Sequence, residues 1–173
     1  MPTRDEITAK LEKERTKLVD RFRGLDADDL TRPCTESEVD GASMWAAKDH
    51  LAHLAMIERA FQGMIRRTIE KSSDNPVGFD FKAGRDAAIA RVHQGNQDNV
   101  EEHRSDDLEI LLKDLDAART DTRKLLDSLT DEQLTEPVPG APWLDGTIGG
   151  VILTNAYHEA QHWAWVEAGL SRS

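Results

Sequence analysis

One cysteine in 173 residues, Cys34, allows no intrachain disulfide and gives no sign of an oxidising compartment, so a cytoplasmic location is the expectation. Arg4, Asp5, Glu6 and Lys10 crowd the first residues, where a secretory leader would need an apolar stretch, and no run approaches the roughly 20 apolar residues that cross a bilayer. Basic residues are also scarce. Lys and Arg total 22 against 33 Asp and Glu, a net charge of -11 and a pI near 5.0. Nucleic acids and anionic membranes both need clustered Lys/Arg to replace counterions. The expected partner is therefore a small-molecule substrate, with no nucleic acid and no membrane. A glycine-rich phosphate loop, a serine elbow and a paired-cysteine motif are all missing.

What remains is 38% hydrophobic and 32% charged, the composition of an ordinary helical globule long enough to bury a core without staples. One domain, 1–173, is expected. From Asp5 to Arg23, Ile7, Leu11, Leu18 and Phe22 form one apolar stripe that Gly24 can end, with Glu14 and Lys17 on the wet face. A second helix is predicted over Met44–Lys71, capped by Ser43, with Leu51, Leu54, Phe61 and Ile65 on its core side. Ser72–Lys82 reads as a loop. A third helix, Gly84–His103, has its stripe of Ile89, Val92 and Val100 interrupted by amides, which suggests an irregular helix facing a pocket. Ser105 reads as the cap of a strong helix running to Ser128. The last helix is predicted from Gly146 or Thr147 to Glu167 or Ala168, with Gly169 as its cap. The sum is an all-α four-helix bundle of up-down-down-up connectivity, with a shorter additional helix on the crossover.

Two turns share a pattern. Leu25 to Pro33 and Leu129 to Pro137 both read Leu, four residues, Leu-Thr, one residue, Pro. His53 follows the first proline by 20 residues and His158 follows the second by 21. Two related helix-turn-helix halves explain this; so does coincidence, because acidic turns ending in proline are common between helices.

The chemistry concentrates in Tyr157-His158-Glu159-Ala160-Gln161-His162-Trp163. Residues four apart on a helix share a face, with Cβ atoms about 5–6 Å apart, so His158 and His162 can grip one ion. Both lie on the stripe Ile148, Val151, Ile152, Asn155, His158, His162, Trp165, Val166. Buried imidazoles need partners. Taken alone, the pair fits core histidines bonded to Asn155, Glu159 or water as well as it fits a metal. Adding His53 from a second helix favours metal: three neutral imidazoles with an open fourth position make a catalytic zinc arrangement, and nickel, iron or manganese suit it too. The His-Glu-x-x-His signature of zinc peptidases is discounted, since only 11 residues follow His162 and Trp165 stands where the extended signature needs glycine. Glu159 remains a candidate base or outer acceptor.

Trp45-x-x-Lys48-Asp49-x-Leu51-x-His53-Leu54, the Leu-rich helix from Leu108, the acidic turn to Pro137, Trp143 with Thr147, and His158-x-x-x-His162 together resemble the DinB/YfiT-like superfamily, in order and over nearly the whole chain. Some features are similar to its ClbS/DfsB branch and to the metal-binding domain of mycothiol-dependent maleylpyruvate isomerases. The resemblance implies a four-helix bundle, in many members a homodimer, with a divalent metal on His53, His158 and His162. His50 departs from the pattern, as a rival ligand or a nearby acid/base. The implied activity is S-transfer with a low-molecular-weight thiol as cosubstrate, or related detoxification; hydrolysis of the ClbS kind, or sequestration of a small molecule without catalysis, are the alternatives.

Overall fold

The computed structural model describes residues 2–79 and 82–172. Asp80 and Phe81 of the expected Ser72–Lys82 loop lie outside the described residues. The elements run α1 (Arg4–Arg23), α2 (Ala27–Thr31), β1 (Pro33–Thr35), β2 (Trp45–Ala46), α3 (Asp49–Ile69), α4 (Arg85–His103), α5 (Leu108–Ser128), α6 (Asp131–Leu134) and α7 (Ile148–Leu170). The bundle is α1, α3, α5 and α7, with α1 packed on α7, and α3 packed on both α5 and α7. The crossover helix α4 is the shortest of the five long helices, at 19 residues. It packs on α3.

Caps set the helix starts. Thr3 closes a capping box with Glu6 at α1, and Thr130 does the same with Gln133 at α6. Thr147 caps α7 through the Gly150 amide. Both sequence-similar turns fold into a short helix, then an antiparallel pairing just ahead of a long helix: Pro33 opposite Ala46, and Pro137 opposite Thr147. That pairing explains why α3 starts at Asp49 rather than Met44. Residues 45–46 are drawn into β2, Asp49 accepts from the Ala46 amide at 2.8 Å, and the N-cap position falls on Lys48, leaving Ser43 outside the helix. Asp107, not Ser105, is the N-cap residue of α5. The helix α4 is continuous, with Gln97 and Asn96 buried and Ile89 exposed.

Gly169 does not end α7, which continues to Leu170. Its lack of a side chain serves close approach: a Cβ there would sit 2.0 Å from the Cys34 carbonyl oxygen, so β1 can lie directly on the helix.

The core is divided. One apolar cluster gathers Ile7, Leu11, Phe61, Ile65, Leu126 and Ile152 among others, and a second gathers Leu18, Phe22, Leu51, Leu115, Trp163 and Val166 among others. Between them on each bundle helix stands one charged residue: Arg15 on α1, Glu58 on α3, Arg119 on α5, Glu159 on α7, all buried. Arg15 donates to Glu159 at 2.6 Å and to Glu58 at 2.8 Å. Arg119 donates to Glu58 at 2.7 Å and to Glu159 at 2.8 Å. The spare guanidinium N–H groups cap the Leu115 and Leu11 carbonyls. Two positive and two negative charges make the layer neutral, the condition under which buried ions are tolerated. Burial works against the Arg119 charge, but Glu159 and Glu58 outweigh it and hold its pKa above the ordinary arginine value.

Candidate metal centre

Helices α3 and α7 cross so that His53, His158 and His162 offer one ring nitrogen each within 4.8 Å of one another, a group that could hold a metal ion. His50 lies behind the group rather than in it. Its Nδ1 is 2.7 Å from His162 Nδ1, and its Nε2 is 2.8 Å from Thr35 Oγ1. His162 Nε2 meets His158 Nε2 at 2.9 Å.

These contacts define a consistent set of tautomers. If His162 Nε2 were to serve as a metal ligand, its Nδ1–H would donate to His50 Nδ1 and His50 Nε2–H to Thr35 Oγ1, which agrees with both contacts. His53 Nδ1 is buried without a hydrogen-bond partner. Such an orphan is costly unless something binds in the site.

Burial depresses every imidazole here. His53 and His50 are lowered to about 3, with the neighbouring imidazoles adding to the effect, and His158 is lowered to about 4. His162 is pushed down as well, by burial first and then by the three rings around it. All four are neutral near pH 7, the form that ligates metals. The donor set therefore fits a divalent ion held by imidazole.

Two tryptophans flank the rings. Trp45 packs on His50 and His53 with centroids 5.4 and 5.3 Å away, and Trp165 stands edge-on to His162 at 4.7 Å. Trp45 is fixed by its indole N–H, which donates to Gln97 Oε1 at 2.8 Å, so the amides of α4 hold a wall of the site. The cluster forms the floor of a cavity of about 1000 Å³, which also takes in Thr35, Phe61, Asn96 and Trp143.

Glu159, expected as base or outer acceptor, turns away into the charged layer and is 2% exposed. His158 and Trp165 do not share the core stripe assigned to them. They line the cavity, and Ala156, Glu159 and Trp163 take the core positions instead. Asn155 bonds the Ile152 carbonyl, not a histidine. Cys34 is buried beside the cavity, and burial pushes its thiol pKa up, which disfavours the thiolate. His93 and His103 are half-buried, 3.4 Å from Glu38 and 2.8 Å from Asp106.

Sequence reasoning missed Arg15, Glu58 and Arg119. The available signal was a charge in phase with the apolar stripe: Arg15 falls four residues after Leu11, and Arg119 four after Leu115.

A helical bundle with a histidine cluster open to a cavity defines the class of protein. Residues 39–166 match the DinB superfamily, and the chain belongs to it. The crystal structure of the colibactin self-resistance protein ClbS in complex with double-stranded DNA is similar, with TM-score 0.72 at 14% identity over 98% of this chain and 96% of that one. An uncharacterised protein from Escherichia coli UTI89 is similar with TM-score 0.65 at 16% identity, over 98% of this chain and 94% of that one. No curated protein matches.

The first likeness corrects the expectation that acidity excludes a nucleic-acid partner, because a bundle of this fold was solved with double-stranded DNA bound. Net charge sums over the whole surface, whereas contact with phosphates depends on where the charges lie. No helix among the described residues is long and apolar enough to cross a membrane.

Proposed function

We propose that the chain is a divalent-metal-dependent enzyme that joins a low-molecular-weight thiol to a small electrophile, an S-transferase or related detoxification enzyme. The observation carrying this reading is the convergence of three neutral imidazoles from two helices, His53 and His162 buried and His158 half-buried, at one side of an open cavity. Zinc or nickel is the first choice for three imidazoles, with iron or manganese next. A bound ion would lower the pKa of a thiol or water and polarise the electrophile.

His53, His158 and His162 would hold the ion. His50 and Thr35 fix the His162 ring and its proton from behind. Trp45 and Trp165 shield the histidine edges from water. The thiol loses its proton to solvent through the cavity mouth, its sulfur bonds to the electrophilic carbon, and the leaving group departs from that carbon with the bonding electron pair, as chloride does from a chloroarene, so no side-chain base is required and Glu159 has no part in the step. The open cavity supports catalysis over sequestration by a closed, fully coordinated ion.

The sequence resemblance to the ClbS branch supports a second reading, in which water replaces thiol as nucleophile. Metal analysis of the purified protein and of His158→Ala tests the site: about one equivalent in the parent and little in the variant is expected, and equal metal content refutes it. Turnover of an electrophile such as 1-chloro-2,4-dinitrobenzene with and without added thiol separates the two reactions. Dependence on both thiol and metal supports transfer, and turnover without thiol supports hydrolysis.

A further inference from the structure

The chain has nine aromatic residues, four Trp, one Tyr and four Phe. Five of them, Trp45, Phe61, Trp143, Tyr157 and Trp165, line one cavity. They come from four separate segments of the chain, so a single amphipathic stripe does not explain the gathering. Two of them remain open to solvent although water-facing positions are plentiful on a bundle: Tyr157 is 48% exposed and Trp165 is 45% exposed. Exposed aromatics rimming a concave site are unusual on a monomer surface and mark a binding surface.

The rings are arranged as walls. Trp45 and Trp165 stand against the histidines, and Phe61 and Trp143 meet edge to face at 4.8 Å to form a second wall. Charges near the opening are Glu36, Glu38 and Arg172, a balance that repels anions more than neutral molecules. The cavity of about 1000 Å³ accommodates a ligand of drug size.

We propose that the substrate is an uncharged molecule with a planar aromatic or conjugated face, seated among these five rings beside the histidine cluster. The proposal rests on the metal-centre reading only for the place of reaction; recognition of the ring is a property of the chain alone. Planar π-faces gain offset-stacked and edge contacts that a saturated ring of the same size lacks, worth about 0.5–1.5 kcal/mol, or roughly two- to twelvefold in affinity.

Calorimetric titration of the metal-free protein with 2-naphthol, and with its saturated counterpart decahydro-2-naphthol, tests this. The expected result is one-to-one binding of 2-naphthol about tenfold tighter than the saturated alcohol. Trp165→Leu and Trp143→Leu should each weaken 2-naphthol by roughly three- to tenfold and the saturated alcohol by less, with the thermal melt unchanged for the exposed Trp165. Equal affinities, no heat from 2-naphthol up to its solubility limit, or 2-naphthol binding unaffected by both variants overturns the proposal. Metal content measured on the same protein as purified, before its metal is removed for the titration, keeps the two readings apart. Metal without 2-naphthol selectivity refutes only the aromatic substrate, and selectivity without metal refutes only the metal centre.

Discussion

Replacing Arg119 by methionine keeps most of the side-chain length and removes the charge. Arg119 is 2% exposed and holds Glu58 through two nitrogens, Glu159 at 2.8 Å and the Leu11 carbonyl at 2.8 Å. After the change two carboxylates share one guanidinium, Arg15, and the layer between the two apolar clusters carries a net negative charge. Removing one partner of a buried ion pair costs about 3–5 kcal/mol, a large fraction of the roughly 5–15 kcal/mol that holds a domain folded. The fold can recover part of this by protonating one glutamate. That glutamate's folded pKa then lies above its unfolded value, so the recovered stability is present at low pH and lost as pH rises through the folded pKa. Urea unfolding followed by circular dichroism should show Arg119→Met less stable than the parent by about 3–5 kcal/mol at pH 7, and by less at pH 5. A difference below about 1 kcal/mol at pH 7, or one equally large at pH 5, refutes the account of the charged layer.

Gly169→Ala places a methyl group 2.0 Å from the Cys34 carbonyl, so β1 must shift; a loss of about 1–3 kcal/mol in the urea midpoint is expected, and none would mean the contact is slack. The metal-free protein should lose stability as pH falls from 6.5 towards 4. His53 and His158 stay neutral in the fold down to about 3 and 4 while the unfolded chain takes up protons near 6.5, which costs up to about 1.4 kcal/mol per pH unit for each histidine. Urea midpoints at pH 7 and 5.5 measure this, and a flat profile contradicts it. His50→Ala removes the partner of His162 Nδ1 and should weaken metal binding by roughly 10- to 100-fold in a competition titration with a chelating dye, with Thr35→Val having a smaller effect in the same direction. Unchanged affinity in His50→Ala would show that His50 does not orient the ligand.

Much of the fold was legible because long amphipathic periods repeat: the stripes of α1, α3, α5 and α7 placed the bundle helices. The start of α3 was not, because β1 pairs with residues ten or more positions ahead, and a potential cap such as Ser43 gives no warning that residues 45–46 will be drawn into a strand. Gly169 shows the same limit, since a glycine required by Cys34 on a distant strand looks identical to a helix stop. Within α7 the stripe merged two faces. Residues 156, 159 and 163 face the core while 158 and 165 face the cavity, and a period of 3.6 cannot say which apolar or aromatic residue meets protein and which meets a ligand. The histidine spacing did place His158 and His162 together, and the matching turns brought His53 to them. The role of His50 depends on a ring contact of 2.7 Å across two helices, which spacing along one helix cannot supply.

The central claim is that His53, His158 and His162 together hold a divalent ion at the cavity floor. A crystal structure of protein purified without a histidine tag, with anomalous data collected across the metal absorption edge, tests it most directly. The account predicts one anomalous peak about 2.0–2.2 Å from a nitrogen of each of the three rings, an open coordination position towards the cavity, and His50 bonded to His162 from behind. An anomalous map empty at the cluster, or a peak ligated by His50 in place of His53, contradicts it.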